Sequence, residues 1–172
     1  MVAALLNEEG VFMADVENSF IPRGMKISGN ILSGGDLCVE GDVYGDVMID
    51  GTLELRGNVR GKHIKVGRVE LTSGVIESDI ECADYISVGE GVTILGNVSA
   101  GDADIEGAIN GDVIVENKVS IGNTAVIKGK VRAGEVSVDL GAVCEVGIEN
   151  ASQERKASEF FENYLKEHSN NN

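Results

Sequence analysis

The sequence is poor in the residues that usually give a protein core its bulk. Among 172 residues there is one proline and no tryptophan, and aromatic residues make up 4%. Aromatic side chains supply much of the buried area of ordinary cores, so valine, isoleucine and leucine have to fill this one. Glycine, by contrast, is abundant at 23 residues. This balance favours a narrow core made of small branched side chains stacked on one another.

Basic residues are also scarce, because 14 Lys and Arg stand against 29 Asp and Glu, a formal net charge of −15. A nucleic-acid groove needs a stripe of positive charge, so the composition argues against a nucleic-acid partner. We interpret the excess of acids as a solvated outer surface.

Cysteine and histidine are too few and too scattered to form a metal or catalytic centre. Cys38, Cys82 and Cys144 include no Cys-x-x-Cys pair, and three buried thiols in a reducing compartment are expected. His63 and His168 cannot supply the three ligands of a zinc site. No phosphate-binding glycine loop occurs either. We therefore predict no catalytic residue, no metal site and no cofactor.

Long apolar runs are missing as well. The N-terminal run at positions 2–6 lacks a basic flank and is too short for a signal segment. No stretch reaches the ~18 apolar residues of a membrane span. The expected location is the cytoplasm.

A short phrase recurs along the chain: an apolar residue, a spacer, glycine, a spacer, then valine or isoleucine. Its central glycine falls at positions 29, 41, 57, 96, 107 and 129, and a seventh copy has serine at position 78. Six steps over the 100 residues from 29 to 129 give a mean spacing of about 16.7. A repeat this short is typical of units that need their neighbours for stability.

Between these phrases, apolar and polar residues alternate with period two. Val47 and Ile49, for example, alternate with Asp46, Met48 and Asp50. Such short runs, broken at glycines, are typical of strands with one buried face. A sandwich is less favoured because it usually shows hairpin pairs with regular turn signals. We therefore predict an all-β protein with a single parallel β-helix of about seven short coils at residues 27–149.

The alternation also predicts which side chains point inward. The expected core residues are Val39, Val47, Ile49, Leu53, Leu55, Val66, Ile86, Val88, Ile94, Val98, Ile105, Val113, Val115, Val119, Ile121, Ile127, Val131, Val136 and Val138. Gly-Asp pairs such as Gly45-Asp46 and Gly111-Asp112 are interpreted as corners at which the Asp side chain bonds its own backbone.

The two ends of the chain differ from the repeat. Residues 1–26 lack the phrase and are treated as an N-terminal leader. Residues 150–172 are predicted to hold an amphipathic α-helix from about 152 to 167, followed by a polar tail. Its apolar residues follow helical spacing, and the four large ones are expected either to cap the rod, to lie on its flank or to bind a partner. They are Phe160, Phe161, Tyr164 and Leu165.

Four stretches together resemble the bactofilins, a bacterial cytoskeletal family. They are GDLCVEGDV at 35–43, LELRGNV at 53–59, YISVGEGVTILGNVSA at 85–100 and LGAVCEV at 140–146. The resemblance implies a right-handed β-helix of triangular section that assembles end to end, without nucleotide, into non-polar filaments. It also implies a scaffolding role at the membrane in cell shape or envelope synthesis.

End-to-end assembly places the polymer contact on the end coils, whose faces carry unpaired backbone groups and apolar side chains. The residues predicted for this contact are Ile27, Ile31, Val143, Cys144, Val146 and Ile148. The chain departs from the usual family pattern at Cys144, where members often carry phenylalanine, and in its leader and C-terminal helix.

The predicted function is a self-assembling cytoskeletal scaffold and not an enzyme. It would form nucleotide-independent filaments and organise envelope or cell-shape proteins, with contact at the inner face of the membrane. Two alternatives are a monomeric adaptor that binds a partner through the C-terminal helix and a hexapeptide-type acyltransferase with a left-handed β-helix. Residues 86–98 also resemble the latter, and His63 is the only candidate catalytic residue.

Overall fold

The structure is a computed structural model that describes residues 5–6, 12–14, 19–145 and 147–150. This part of the chain is all-β and forms a parallel β-solenoid of about 8 turns, which confirms the predicted fold class. The sequence predicted about seven coils. The additional turn begins with Phe12–Ala14 and Ser19–Ile21, ahead of the first repeat phrase, because Phe12 already pairs with Ile31 and Ser19 with Leu37 of the following turn. The predicted C-terminal helix lies outside the described residues, and the right-handed sense stays a prediction.

Seventeen short and long strands make up the solenoid. In chain order they are β1 (Leu5–Leu6), β2 (Phe12–Ala14), β3 (Ser19–Ile21), β4 (Lys26–Ser28), β5 (Ile31–Ser33), β6 (Leu37–Val39), β7 (Asp42–Tyr44), β8 (Val47–Leu55), β9 (Asn58–Leu95), β10 (Val98–Ala100), β11 (Asp102–Ile105), β12 (Ala108–Asn110), β13 (Val113–Ile121), β14 (Val126–Lys128), β15 (Lys130–Val138), β16 (Val143–Cys144) and β17 (Gly147–Asn150).

Each strand of the first turn pairs with the strand three places later in the chain: β2 with β5, β3 with β6 and β4 with β7. Each turn therefore has three sides, with one strand or strand segment on each. Face A contains β5, β10 and β17; face B contains β3, β6 and β11; face C contains β4, β7, β12, β14 and β16. The long strands bend around corners and contribute to more than one face. Residues paired in parallel lie 15 to 19 positions apart, from Val98↔Val113 to Phe12↔Ile31, which agrees with the spacing of the repeat phrase.

The core is the column of branched side chains enclosed by the three faces. Seventeen of the nineteen predicted inward residues are buried, and the two exceptions are Val136, which is half-buried, and Val138, which is 46% exposed. Both have the register of inward residues, since Val136 pairs with Val119 and Val138 with Ile121. They belong to the last turn, and no described strand pairs with them on their outer side.

The corner between faces C and A shows why glycine recurs there, including at positions 29, 96 and 129 of the repeat phrase; the phrase glycines at 41, 57 and 107 lie instead at the corner between faces B and C. A Cβ atom on Gly111 would overlap the carbonyl oxygen of Gly96, and one on Gly129 would overlap that of Gly111. Successive turns therefore bring their backbones together at this corner more closely than a side chain allows. Ser78 occupies the same column, and its hydroxyl donates a hydrogen bond to the carbonyl oxygen of Asp79 at 3.2 Å.

Replacing one inward residue by a charge is expected to unfold the rod, whereas the neighbouring outward residue is expected to tolerate it. Val115 is 3% exposed and Ile114 is 53% exposed. Val115→Asp buries a carboxylate without a partner and should cost about 3 kcal/mol or more, while Ile114→Asp should stay within about 0.5 kcal/mol of the parent. Thermal unfolding followed by circular dichroism measures both, and equal melting temperatures for the two variants would contradict the inward assignment.

A methyl group at the stacked corner is also expected to destabilise the solenoid. Gly111→Ala places its Cβ against backbone, which cannot move aside as a side chain can, so the loss should exceed about 1 kcal/mol. Gly34→Ala is the matched control, because a Cβ on Gly34 meets no atom within 4 Å. Urea unfolding midpoints compare the two, and a Gly111→Ala variant as stable as the control would rule out close stacking at this corner.

Candidate self-association surface

The N-terminal end of the described solenoid is closed to side-chain contact. The inward residues of the first turn are buried, with Ile21 at 1% exposure, Ile27 at 3% and Ile31 at 2%. β2 pairs with β5 on the outer side of Ile31, and β1 in turn pairs antiparallel with β2. The predicted contact residues Ile27 and Ile31 therefore lie within the rod and not on its surface.

The C-terminal end of the described solenoid is exposed. Four inward residues of the last turn, together with a corner leucine, form what we call the C-terminal end face: Val136, Val138, Leu140, Cys144 and Ile148. Val138 is 46% exposed, Ile148 41% and Leu140 97%. Their partners one turn below, Ile121, Ile127 and Val131, are buried. The inward side chains of the end face thus continue the buried core by one turn, but no further turn among the described residues covers them.

Unpaired backbone accompanies these side chains. Among the described residues, β16 pairs only with β14 and β17 only with β15, so one edge of each strand has no partner strand. An open strand edge with apolar side chains beside it is a template for a further strand. The arrangement can bind another β-structure end-on, and it offers no group suited to acid–base chemistry.

The sequence predicted part of this surface. Cys144 and Ile148 lie on the C-terminal end face. Val143 lies at the same end but points outward on face C, since it pairs with Val126, which is itself 44% exposed. Val146 and the four large residues of the predicted helix lie outside the described residues. The sequence analysis did not identify Val136 and Val138 as surface residues, because their alternation with polar residues is the same as that of the core. Their position in the last turn of the repeat is the signal that could have identified them.

The thiols are poor nucleophiles. Cys82 is buried, and its Sγ lies 3.1 Å from the carbonyl oxygen of Tyr85. Cys38 and Cys144 are half-buried, so the prediction of three buried thiols is right only for Cys82. Burial raises the pKa of all three, chiefly through desolvation of the thiolate, which keeps them protonated at neutral pH.

The aspartates at the corner between faces C and A bind backbone, although not their own as predicted. Asp46 Oδ1 accepts hydrogen bonds from the backbone N–H groups of Lys62 at 2.8 Å and His63 at 3.1 Å, both in the next turn. Asp112 Oδ1 accepts one from Lys130 N–H at 3.0 Å. His63 is exposed at this corner. Among the described residues, no three His, Cys, Asp or Glu side chains are placed to hold a metal ion.

Within the described residues, the solenoid therefore has one covered end and one exposed end. Comparison with protein-family models matches residues 70–149 to the bactofilin family, described as polymer-forming cytoskeletal. This match supports the resemblance to the bactofilin family that the sequence predicted. Bactofilins are structural cytoskeletal proteins rather than enzymes. No curated protein and no solved structure matches the chain.

The matched segment includes every residue of the C-terminal end face. Residues 19–69, which precede it, continue the same pairing, for example in Leu37↔Leu53 and Leu53↔Val69. They are thus part of the same solenoid. The described part of the chain includes no helix long and apolar enough to cross a membrane.

Asp46 is expected to make the stability of the rod depend on acid. The hydrogen bonds from the N–H groups of Lys62 and then His63 lower the pKa of its carboxyl below the usual 3.8. Because the folded-state pKa is lowered, its stabilising contribution is complete above the unfolded pKa and is lost as the pH falls through the folded pKa. Urea unfolding of the parent from pH 7 to pH 2.5 should show this loss at the acid end.

Two variants at position 46 distinguish the effect of the Asp46 charge on stability from the effect of its hydrogen bonds. Asp46→Asn keeps an acceptor, as Asn30 Oδ1 does for the N–H of Asp46 at 2.9 Å, but it should lose the acid dependence at this site. Asp46→Ala removes the acceptor and should be less stable than Asp46→Asn by about 1 kcal/mol at every pH. Parallel pH profiles for the parent and Asp46→Asn would show that Asp46 does not titrate with folding.

Proposed function

We propose that this polymer-forming chain builds filaments by joining rods end to end through the C-terminal end face. The observation that carries the proposal is the exposure of core residues in the last turn only. Val138 is 46% exposed, whereas Ile121, its partner one turn below, is fully buried. Covering such a side chain contributes on the order of 1 kcal/mol, so several of them together with the open strand edges favour a stacked partner.

A second copy is a suitable partner because its end face has the same size and the same apolar character. Two C-terminal end faces in contact form an isologous joint, which by itself yields only a pair of rods. A non-polar filament therefore needs a second joint at the N-terminal end. There β1 is the outermost described strand, and it pairs only with β2 among the described residues. We assign the second joint to β1 rather than to the side chains of Ile27 and Ile31.

The filament would act as a scaffold that organises envelope or cell-shape proteins from the cytoplasmic side of the membrane. This part of the proposal is supported by the resemblance to the bactofilin family and by the shape of the rod. A stacked filament repeats the same outer faces at regular intervals, so a protein that binds one face is arrayed along its length.

Charging the C-terminal end face is expected to disperse the filaments without unfolding the rod. Val138→Asp places a carboxylate on a surface that solvent already reaches, so the monomer should tolerate it, while stacking would bury the charge. Negative-stain microscopy and sedimentation, in chelator and without nucleotide, should show filaments for the parent and single or paired rods for Val138→Asp. Circular dichroism should be unchanged.

Ile114→Asp, on the outer side of face A, is the matched control, because it adds the same charge away from both ends. It should form filaments like the parent. Full-length filaments from Val138→Asp would exclude this end face from the joint. Parent protein that stays as single rods would instead support the monomeric adaptor.

A further inference from the structure

Face C carries an uncharged row in the C-terminal half of the rod. We call Thr93, Leu95, Ala108, Val126 and Val143 the face C patch. The column that begins with Leu95 continues with Asn110, Lys128 and Glu145, which are exposed beside the row. Thr93 pairs with Ala108, Ala108 with Val126, and Val126 with Val143, so four of them form an unbroken row. Leu95 is 43% exposed, Val126 44% and Val143 48%.

The same row carries charged and polar residues nearer the N-terminal end of the rod. In the first three turns its positions are Lys26, Asp42 and Asn58, which pair in that order. Single exposed apolar residues are normal on protein surfaces, but a continuous row without charge is unusual in a chain with 29 acids and a net charge of −15. Such a patch calls for a partner surface.

We infer that the C-terminal segment of this chain, residues 151–172, docks on the face C patch as an amphipathic helix. The described chain ends at Asn150, which pairs with Ala133 at the C-terminal end of the rod. Val143 lies at that same end. Twenty-two residues follow Asn150, and they carry four of the chain's large apolar residues, Phe160, Phe161, Tyr164 and Leu165.

The lengths agree. Helical positions 157 and 165 lie about 12 Å apart along a helix axis. The row from Thr93 to Val143 spans three inter-turn steps, or about 14 Å. The chain leaves the rod where face A ends, so it must pass one side, face B, to reach face C. One side takes about a third of a turn, or about 20 Å, and the seven residues from 150 to 157 reach up to about 23 Å when they are extended. The docked helix therefore begins near residue 157, later than the 152 predicted from the sequence.

The composition of the connecting residues determines the path. Residues 151–156 are Ala-Ser-Gln-Glu-Arg-Lys, which contain no large apolar side chain. They therefore suit the solvated outer rim of face B, where Asp139 is exposed and can attract Arg155 and Lys156, and they cannot replace a core over Val136 and Val138. The large apolar residues come later, at the distance of the patch. The docked segment leaves the C-terminal end face free, so the inference stands independently of the proposed function.

Hydrogen exchange of the full chain tests this inference. It is measured at several protein concentrations in the Val138→Asp background, with filaments monitored separately by microscopy. Amides of residues 157–165 should exchange at least about tenfold more slowly than in a free peptide, as expected for a segment that is docked most of the time. This protection should not depend on concentration. Val126→Asp in the patch, or Phe161→Ala in the segment, should abolish it, while Ile114→Asp on face A should not.

Four results would overturn the inference. They are unprotected amides at 157–165, protection that survives Val126→Asp, protection that rises with concentration as for a second copy, and a chain truncated after Asn150 that changes from single rods to filaments. The last result would show that the segment covers the end face. Truncated chains that still form filaments, with faster exchange in β12 and β14, would support docking on the flank.

Discussion

The pairing of each turn with the next one, 15 to 19 residues along the chain, is the constraint on which the rest of this structure depends. The three strands of one turn do not pair with each other, so a turn has neither backbone partners nor a covered core until its neighbours are in place. The corner glycines, the corner aspartates and all but one of the exposed ion pairs found in the described residues act across this step; the exception is Arg56–Glu54, within one turn. Lys65–Glu81 at 3.6 Å and Lys118–Glu135 at 3.4 Å, for instance, each join adjacent turns. Exposed pairs of this kind contribute little individually, and the backbone ladders and the core carry the stability.

A structure held together along one axis cannot satisfy its last turn by itself. Each interior turn covers the core of its neighbours, so the exposure of Val138 and Ile148 is a consequence of ending the array and not of an unusual sequence at that point. The other end shows how an array can be closed. There the backbone of β2 covers Ile31, and the antiparallel β1 changes the direction of the outermost strand. The difference between the two ends is the reason why we propose the joint at the C-terminal end.

Much of this could be predicted from the sequence, because alternation and corner glycines are local signals. Val115 and Ile114 were separated correctly by alternation alone. The first turn was missed because the leader had been set apart from the repeat, although Ser19–Ile21 already pairs with the following turn. The direction in which side chains point at the C-terminal end of the rod was harder still to predict from the sequence. Val143 and Cys144 are neighbours in sequence, yet only the register with Val126 and Ile127 shows that one points to the flank and the other to the end.

The acidic composition of the chain affects which surfaces of two rods can come into contact. A charge of −15 on each subunit opposes close approach of flanks that carry carboxylates. The C-terminal end face is built from valine, leucine, cysteine and isoleucine, so contact there brings together the least charged part of the rod. The face C patch is a further surface with an uncharged row, and if it stayed bare it would offer neighbouring rods a lateral contact that competes with end-to-end growth. A segment of the same chain that covers the patch would remove this competition without touching the joint, and assembly would then proceed along a single axis.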